Sequence, residues 1–377
     1  MRDKRMRLFG VTRGAAAILI ALAVGAVFIF LTSKTPFEAL RYLLMPLLSV
    51  KDGAVSFNLQ YLYEIFAGMI PIIFTGLAVT VMFSANQFNL AGEGVVMAGG
   101  FIAGILGVHL DLAPGWHPLV SVLIATLSGG LIMLIPALLK TKVGANVMVS
   151  TLMLNYIIMH IVQHYLNFTF RDRSKGAPMT HDFKPSAIIP SLVPGTSKMS
   201  VGFIVALLFA VLIAFFLYRT RWGYAIRMIG INESFSLYSG MNVNTMIVSA
   251  QVIGGMLAGM GGAIEILGRF SAYRWNQLPG YGWVGVTIAI LAKNNPAYVP
   301  LAAFFLSYLN RGCLLMSTRS DVPAEMIDII QAAIFLFFAA EQFLSGFRQR
   351  LVVKTTQEEL MKLEAMRKPT GGQNHVE

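Results

Sequence analysis

Long, almost uncharged apolar runs recur along this chain, near residues 15–32, 59–84, 91–110, 118–139, 147–167, 200–218, 244–267, 281–293, 297–316 and 324–345. A helix needs about 20 mostly apolar residues to span the hydrocarbon of a bilayer. The runs therefore predict an all-α polytopic membrane protein of about ten transmembrane helices, with 281–293 the shortest of them. The charge content fits a lipid environment: 12% of the 377 residues are charged, whereas a soluble domain has about 25%. The net charge of +11 resides at the ends of the apolar runs, where cytoplasmic loops and lipid phosphates hold it. It is not interleaved with exposed aromatics on a polar domain, which argues against nucleic acid as a partner.

The first run follows a basic start, "MRDKRMRLFGVTR", as a secretory signal would. Its apolar stretch is long and no small-residue cleavage site follows, so an uncleaved first span is expected. With both termini inside, the inner segments carry 17 Lys and Arg and the outer ones 12. That bias favours cytoplasmic termini. Residues 1–14 then form a basic cytoplasmic N-terminus, 15–345 the transmembrane domain and 346–377 a cytoplasmic tail. The external loop 168–199, with five basic residues and four prolines, is expected to fold partly outside the membrane. The single Cys313 excludes an intrachain disulfide and a multi-cysteine metal site. The sequence contains no GxxxxGK[ST], H-E-x-x-H or G-x-S-x-G pattern. Work against a gradient would therefore draw on an ion gradient or on a partner.

One polar, glycine-punctuated segment interrupts the apolar pattern, "RWGYAIRMIGINESFSLYSGMN" at 221–242. Asn232 stands at an N-cap position, Glu233 in a first turn and Gly240 where a left-handed C-cap would fall. This predicts a short helix over 232–239 with Phe235, Leu237 and Tyr238 on its surface. On physics alone, an interfacial helix that only connects two spans explains it as well.

A second polar stretch, "NQFNLAGEG", places Asn86, Gln87, Asn89 and Glu93 between two apolar runs. A carboxylate at membrane depth is costly unless it is paired or faces water. The stretch is a surface turn, a broken helix lining a pathway, or a helix–helix contact. Asn155 is a pore-facing candidate inside its span. In the span 244–267, Gly255 and Gly259, like Ala258 and Gly262, stand four residues apart and allow close helix packing. Gln251 and Glu265 are the polar exceptions there, with Glu265 expected near the outer face. His160 and His164, beside Gln163, have metal-compatible spacing but lack a third ligand nearby. They are read as hydrogen-bonded helix ends, and no metal site is expected. Asp328, Gln331 and Glu341 face a neighbouring helix, a second subunit or a cavity.

The segment 221–242 resembles the coupling loop of permease subunits in ABC importers of the simple-sugar, nucleoside and branched-chain amino-acid group. The resemblance rests on Gly223, Arg227, Gly230, Asn232, Tyr238 and Gly240. It departs at Glu233, where that family carries proline, and at Phe235 and Ser236, where it carries small alanines. Three further stretches are similar to family motifs in the same order: "NQFNLAGEGVVMAGG" (86–100), "VGANVMVSTLMLNYI" (143–157) and "GYGWVGVTIAILAKNNP" (280–296). Departures fall at Val147, Met148 and Lys293, the last where a glycine is usual. The similarity covers about residues 58 to 345, and "MLNYI" with its long following loop is closer to the nucleoside branch.

The resemblance implies a permease subunit of a bacterial ABC importer in the inner or plasma membrane, passing nucleosides inward by alternating access. It implies partner ATPase subunits that carry ATP and Mg, a second homologous or identical permease, and an extracytoplasmic substrate-binding lipoprotein. The chain itself would then be no enzyme and hold no cofactor. Gly223, Arg227, Gly230, Asn232, Glu233, Phe235, Tyr238 and Gly240 would serve ATPase coupling. Asn86, Asn89, Glu93, Asn155 and Gln251 would line or shape the translocation pathway, and Gly255, Gly259 and Gly262 would pack helices. Simple sugars or branched-chain amino acids are alternative cargoes. An ion-coupled secondary transporter using Glu93, Glu265 and Asp328 is a rival of another class, but it leaves 221–242 without a role. A membrane-embedded enzyme would need clustered acid, base or metal residues, and those here are scattered.

Overall fold

The computed structural model of the chain describes residues 33–51, 54–193 and 198–322, with isolated positions at 23, 26–27, 29–30, 329 and 332. The N-terminus 1–14, most of the spans expected at 15–32 and 324–345, the tail 346–377, and Asp328, Gln331 and Glu341 lie outside the described residues. The chain divides into two compact units, residues 1–40 with 317–377, and residues 41–316. In the first, the Asp321 carboxylate accepts the Ser33 hydroxyl and the Lys34 backbone N–H, both at 2.6 Å.

Along the chain, α1 (Pro36–Leu44) is followed by an antiparallel hairpin, β1 (Leu48–Lys51) and β2 (Ala54–Phe57), in which Leu48 pairs with Phe57. The hairpin is a small addition to an otherwise helical chain among the described residues. Asp52 and Gly53 form a dipeptide with strong hairpin-turn preference, a local signal that a reading of span lengths passes over. Then come α2 (Leu59–Ser84), α3 (Gly92–His109), α4 (Trp116–Leu138, extended by a π-helical turn at Leu139–Val143), α5 (Val147–Phe168) and α6 (Gly202–Arg219). Two short helices follow, α7 (Arg221–Ile231) and α8 (Glu233–Tyr238). The chain continues as α9 (Val243–Arg269), α10 (Tyr281–Leu291) and α11 (Val299–Arg319), the last entered by a 3-10 turn at Pro296–Tyr298.

Among the described residues seven helices are long and apolar enough to cross a membrane: α2 to α6, α9 and α11, with α4 and α11 counted together with their adjoining turns. They coincide with runs read from the sequence. The short run at 281–293 is α10, whose 11 residues reach about 16 Å, roughly half of the hydrocarbon thickness.

The centre of the larger unit is α9, packed against α2, α3 and α4. Its small residues let backbones approach without intervening side chains. A Cβ on Gly99 of α3 would come within 2.7 Å of the Gly259 Cα, and one on Gly259 within 3.2 Å of the Gly129 Cα on α4. Gly255 likewise faces the Gly129 carbonyl, and Gly262 the Val96 carbonyl. Along α2 the contacts run antiparallel, with Gly254 against Met82 and Gly261 against Phe74. The α11 helix also opposes α2, with Val299 near Gly76 and Ser307 near Gly68. Outward faces stay apolar, as lipid requires: Leu208, Val211 and Phe215 on α6 and Leu123, Leu127 and Leu131 on α4 are exposed.

Candidate functional site

The segment between α6 and α9 is built from caps. The Thr220 hydroxyl accepts the Gly223 N–H at 3.1 Å and starts α7. The Asn232 side chain accepts the Phe235 N–H at 2.9 Å and starts α8, whose first turn holds Glu233. Gly240, at φ +79°, ends it in the left-handed region, while the Gly240 and Met241 N–H groups close back on the Leu237 and Ser236 carbonyls, each at 3.0 Å. The caps at Asn232 and Gly240 stand where the sequence puts them, and the additional helix α7 is what the sequence reading did not separate. Ser236 is buried, whereas Phe235, Leu237 and Tyr238 are exposed, Tyr238 by 90%.

Other residues of the segment face inward. Arg227 folds back on α6, its Nε donating to the Leu217 carbonyl at 3.0 Å and its guanidinium lying 4.8 Å from the Tyr218 ring centre. A cation at free carbonyls of a helix C-terminus is stabilised by the helix dipole. Gly223 has no room for a Cβ against Leu217, and Gly230 has none against the Ser84 carbonyl at the end of α2. So α7 touches the chain where α2 stops.

From there, residues 85–91 form a break between α2 and α3. Asn86 is exposed and left-handed, at φ +55°. Asn89, Glu93, Asn155 and Gln251 are all buried and are drawn together around the break. Asn89 accepts the Ala91 N–H at 2.8 Å and donates to the Gln251 side chain at 3.1 Å. Asn155 accepts the Gly94 N–H and donates to the Leu90 carbonyl, both at 2.8 Å, and Thr151 accepts the Leu90 N–H at 3.1 Å. Side chains thus satisfy the backbone groups that the break releases. Gln87 is buried too, donating to the Ala85 carbonyl at 3.1 Å.

Glu93 completes the arrangement from the first turn of α3. Its carboxylate accepts the backbone N–H groups of Gly280, of Gly282 at 2.5 Å and of Trp283 at 3.3 Å. These are the free donors at the start of α10, and the dipole of that helix compensates the buried charge. The partner is unreadable from sequence because almost 190 residues separate the two sides. The signal present is "GYG" opening a half-length apolar run. Gly280 is left-handed at φ +86°, and Gly282 packs so tightly on Glu93 that a Cβ there would lie 2.6 Å from the Glu93 Cα. At the far end of α10, Lys293 holds a left-handed φ of +54°, the conformation that a glycine adopts without strain.

Toward the other end of α9, Glu265 accepts from Arg269 at 3.0 Å and from the Tyr281 hydroxyl at 3.1 Å. Sequence reading missed an ion pair between Glu64 on α2 and Arg311 on α11, 2.5 Å apart, since opposite charges on separate spans announce no register. His160 lies 3.2 Å from the Gln163 side chain, which donates to the Asn276 carbonyl at 2.6 Å, and His164 packs on Phe168. The loop after α5 is stitched to the core: Thr180, Phe183 and Ile189 donate to the carbonyls of Tyr273, Ser271 and Leu267 at 2.7–3.0 Å. In that loop, the hydroxyl and backbone N–H of Ser174 hold the Asp172 carboxyl below the usual carboxylate range. Lys184 does the same for Asp111.

A bundle of apolar spans around a glycine-packed central helix, with a half-length helix and a capped polar segment, fits a protein embedded in a membrane. The family model for the branched-chain amino acid transport system permease component matches residues 61–339, and the chain belongs to that family. It is 32% identical over 327 residues to a guanosine ABC transporter permease protein of Bacillus subtilis, covering 86% of this chain and 91% of the relative. It is 28% identical to a glucose ABC transporter permease protein of Haloferax volcanii, over 88% of this chain and 87% of that one. Identity to a nucleoside ABC transporter permease protein of Lactococcus lactis is 26%, over 72% of this chain and 77% of the relative. No solved structure matches the chain. The protein is therefore an ABC transporter permease, a multi-pass protein of the cell membrane.

Proposed function

We propose that this chain is the membrane subunit of an importer that passes a nucleoside inward by alternating access, driven by ATPase subunits that bind ATP and Mg and grip α8. The chain has ten spans and cytoplasmic termini in this reading, holds no nucleotide itself, and works with a second permease and an extracytoplasmic substrate-binding lipoprotein. One observation carries the coupling: α8 presents Phe235, Leu237 and Tyr238 outward, while the adjoining α7 sets Gly230 against the end of α2. A push on α8 reaches the break at 85–91 and, through Glu93, the half-helix α10. Asn89, Asn155 and Gln251 keep that break rigid enough to transmit it, and Asn86 sits at its exposed edge. The nucleoside cargo rests on similarity to the guanosine and nucleoside permeases. A simple sugar is the second reading, favoured by the glucose permease relative.

The test is a cysteine at Tyr238 with Cys313 replaced by serine. An impermeant thiol reagent should label it in inverted vesicles only, and a short cross-linker should join it to an ATPase subunit. Labelling from the exterior, or nucleoside uptake by the purified permease without an ATPase, refutes the reading.

A further inference from the structure

Four ionisable side chains that the coupling route does not use lie inside the spans at one level of the larger unit. Arg311 pairs with Glu64 at 2.5 Å and spreads over the Tyr61 ring, 4.5 Å from its centre. Glu265 holds Arg269 at 3.0 Å and the Tyr281 hydroxyl at 3.1 Å. Helix registers bring the two pairs together. Continuing the α2–α9 contacts outward from Phe74 and Gly261 sets Arg269 opposite residues 64–66. Continuing the α2–α11 contacts from Gly68 and Ser307 sets Arg311 opposite Glu64. Arg269 also lies within electrostatic reach of Glu64.

Ion pairs within spans are retained where they face water or a pathway, because their desolvation is costly. Glu64, Arg311 and Arg269 are not sealed, whereas the Glu265 side chain is 1% exposed. The side chains of Glu64, Arg311 and Arg269 are 31%, 15% and 37% exposed. The Arg311 Nε is buried with no hydrogen-bond partner. The pairing of Glu64 is through one oxygen, Oε2, so its second oxygen can accept from a hydroxyl. The cluster sums to zero charge, which gives no advantage to a phosphate or carboxylate cargo. Glu64 offers a carboxylate acceptor for a hydroxyl group, and the Arg311 guanidinium, backed by Tyr61, offers a flat surface for a planar ring.

We propose that Glu64, Glu265, Arg269 and Arg311, with Tyr61 and Tyr281, form a binding site for a neutral cargo that carries vicinal hydroxyls and a planar heterocycle. Glu64 accepts a sugar hydroxyl, Glu265 holds Arg269 and Tyr281 in place beside it, and the Arg311 guanidinium, backed by the Tyr61 ring, takes the base. The proposal deepens the nucleoside reading above and rests on it.

The experiment measures binding of a labelled ribonucleoside and of its 2′,3′-dideoxy analogue to the purified permease–ATPase complex without the binding protein. A hydroxyl bound to a carboxylate is worth about tenfold or more in affinity, so the ribonucleoside should bind about tenfold more tightly. Glu64→Gln should erase most of that difference in complexes that purify with the ATPase subunits bound. Should Glu64→Gln fail to assemble, Glu64→Asp keeps the charge and should narrow the difference. The double exchange Glu64→Arg with Arg311→Glu restores an ion pair without the site and should remain unselective. Equal binding of the two ligands by the wild type, or full selectivity in Glu64→Gln or in the double exchange, overturns the site. Uptake by the complete importer, run in parallel, keeps the two questions apart. If nucleosides are taken up and selectivity at Glu64 is absent, the site alone falls. If no nucleoside is taken up, the cargo reading falls with it.

Discussion

The Glu93 carboxylate accepts the Gly282 backbone N–H at 2.5 Å, so the first turn of α3 holds the first turn of α10. At the opposite end of the break that precedes α3, the Ser84 carbonyl lies against Gly230 of α7. Fewer than ten residues therefore separate the two contacts along the chain, and side chains of α5 and α9 tie them down. In the proposed mechanism, a segment fixed at both ends passes displacement from α7 to α10.

Replacing Glu93 with glutamine tests the clamp. An amide has one acceptor oxygen where the carboxylate has two, and it carries no charge for the α10 dipole to meet. Hydrogen bonds to a charged group contribute about 1.5–3 kcal/mol, so the first turn of α10 should loosen by an amount in that range. Uptake by the assembled importer should slow markedly while the complex still purifies intact. Unchanged uptake would show that α10 holds its place without Glu93.

Two glycines of the segment 221–242 should respond differently to alanine. A Cβ on Gly230 meets the Ser84 backbone, which has no rotamer with which to yield, and overpacking of this kind costs about 1–3 kcal/mol. Gly240 has open space around it but a left-handed φ, so alanine there costs about 1–2 kcal/mol of local strain. Gly230→Ala should impair transport while ATP hydrolysis continues, and Gly240→Ala should leave transport nearly normal. Paired assays of hydrolysis and uptake in proteoliposomes check the contrast.

What the sequence made legible follows from range. Apolar runs are local, so the spans from α2 to α11 are readable within a few residues. The caps at Asn232 and Gly240 are equally local. Contacts between distant segments are not: neither the pairing of Glu93 with Gly280–Trp283 nor that of Glu64 with Arg311 leaves a periodic trace. The motif "NQFNLAGEG" signalled that something polar occurs between α2 and α3, but three readings survived because burial is a tertiary property. With Asn89 and Glu93 buried and Asn86 exposed, one stretch contains both a surface edge and an interhelical contact.

The loop after α5 should show a pH response with a defined direction. Ser174 holds the Asp172 carboxyl below its ordinary range, so the contribution of that group to loop order is complete above the unfolded value, about pH 3.9 for aspartate. It is lost as pH falls through the lower folded value. Limited proteolysis within residues 171–182 should therefore be constant from neutral pH down to about 4 and should increase below it, read with an acid-stable protease. Asp172→Asn should raise cleavage at neutral pH and flatten the acid response. An acid response unaltered in that variant would assign it to another group.

Tyr238 and Phe235 give the most direct test of what touches α8. Tyr238 is almost fully exposed and Phe235 half so, so replacing either with aspartate removes few contacts within the chain, and surface changes of this kind stay within about 0.5 kcal/mol. Exposed aromatics on a rigid, doubly capped helix are the residue types that anchor interfaces, and losing one at a centre of contact costs about 2 kcal/mol or more. A new charge would add its own desolvation cost against any apolar surface that covers α8. The variants should thus insert and purify like the wild type and retain their thermal stability, yet lose substrate-stimulated ATP hydrolysis and uptake together. Stimulation at the wild-type level in both variants would mean that the ATPase grips another surface and that α8 only joins α7 to α9.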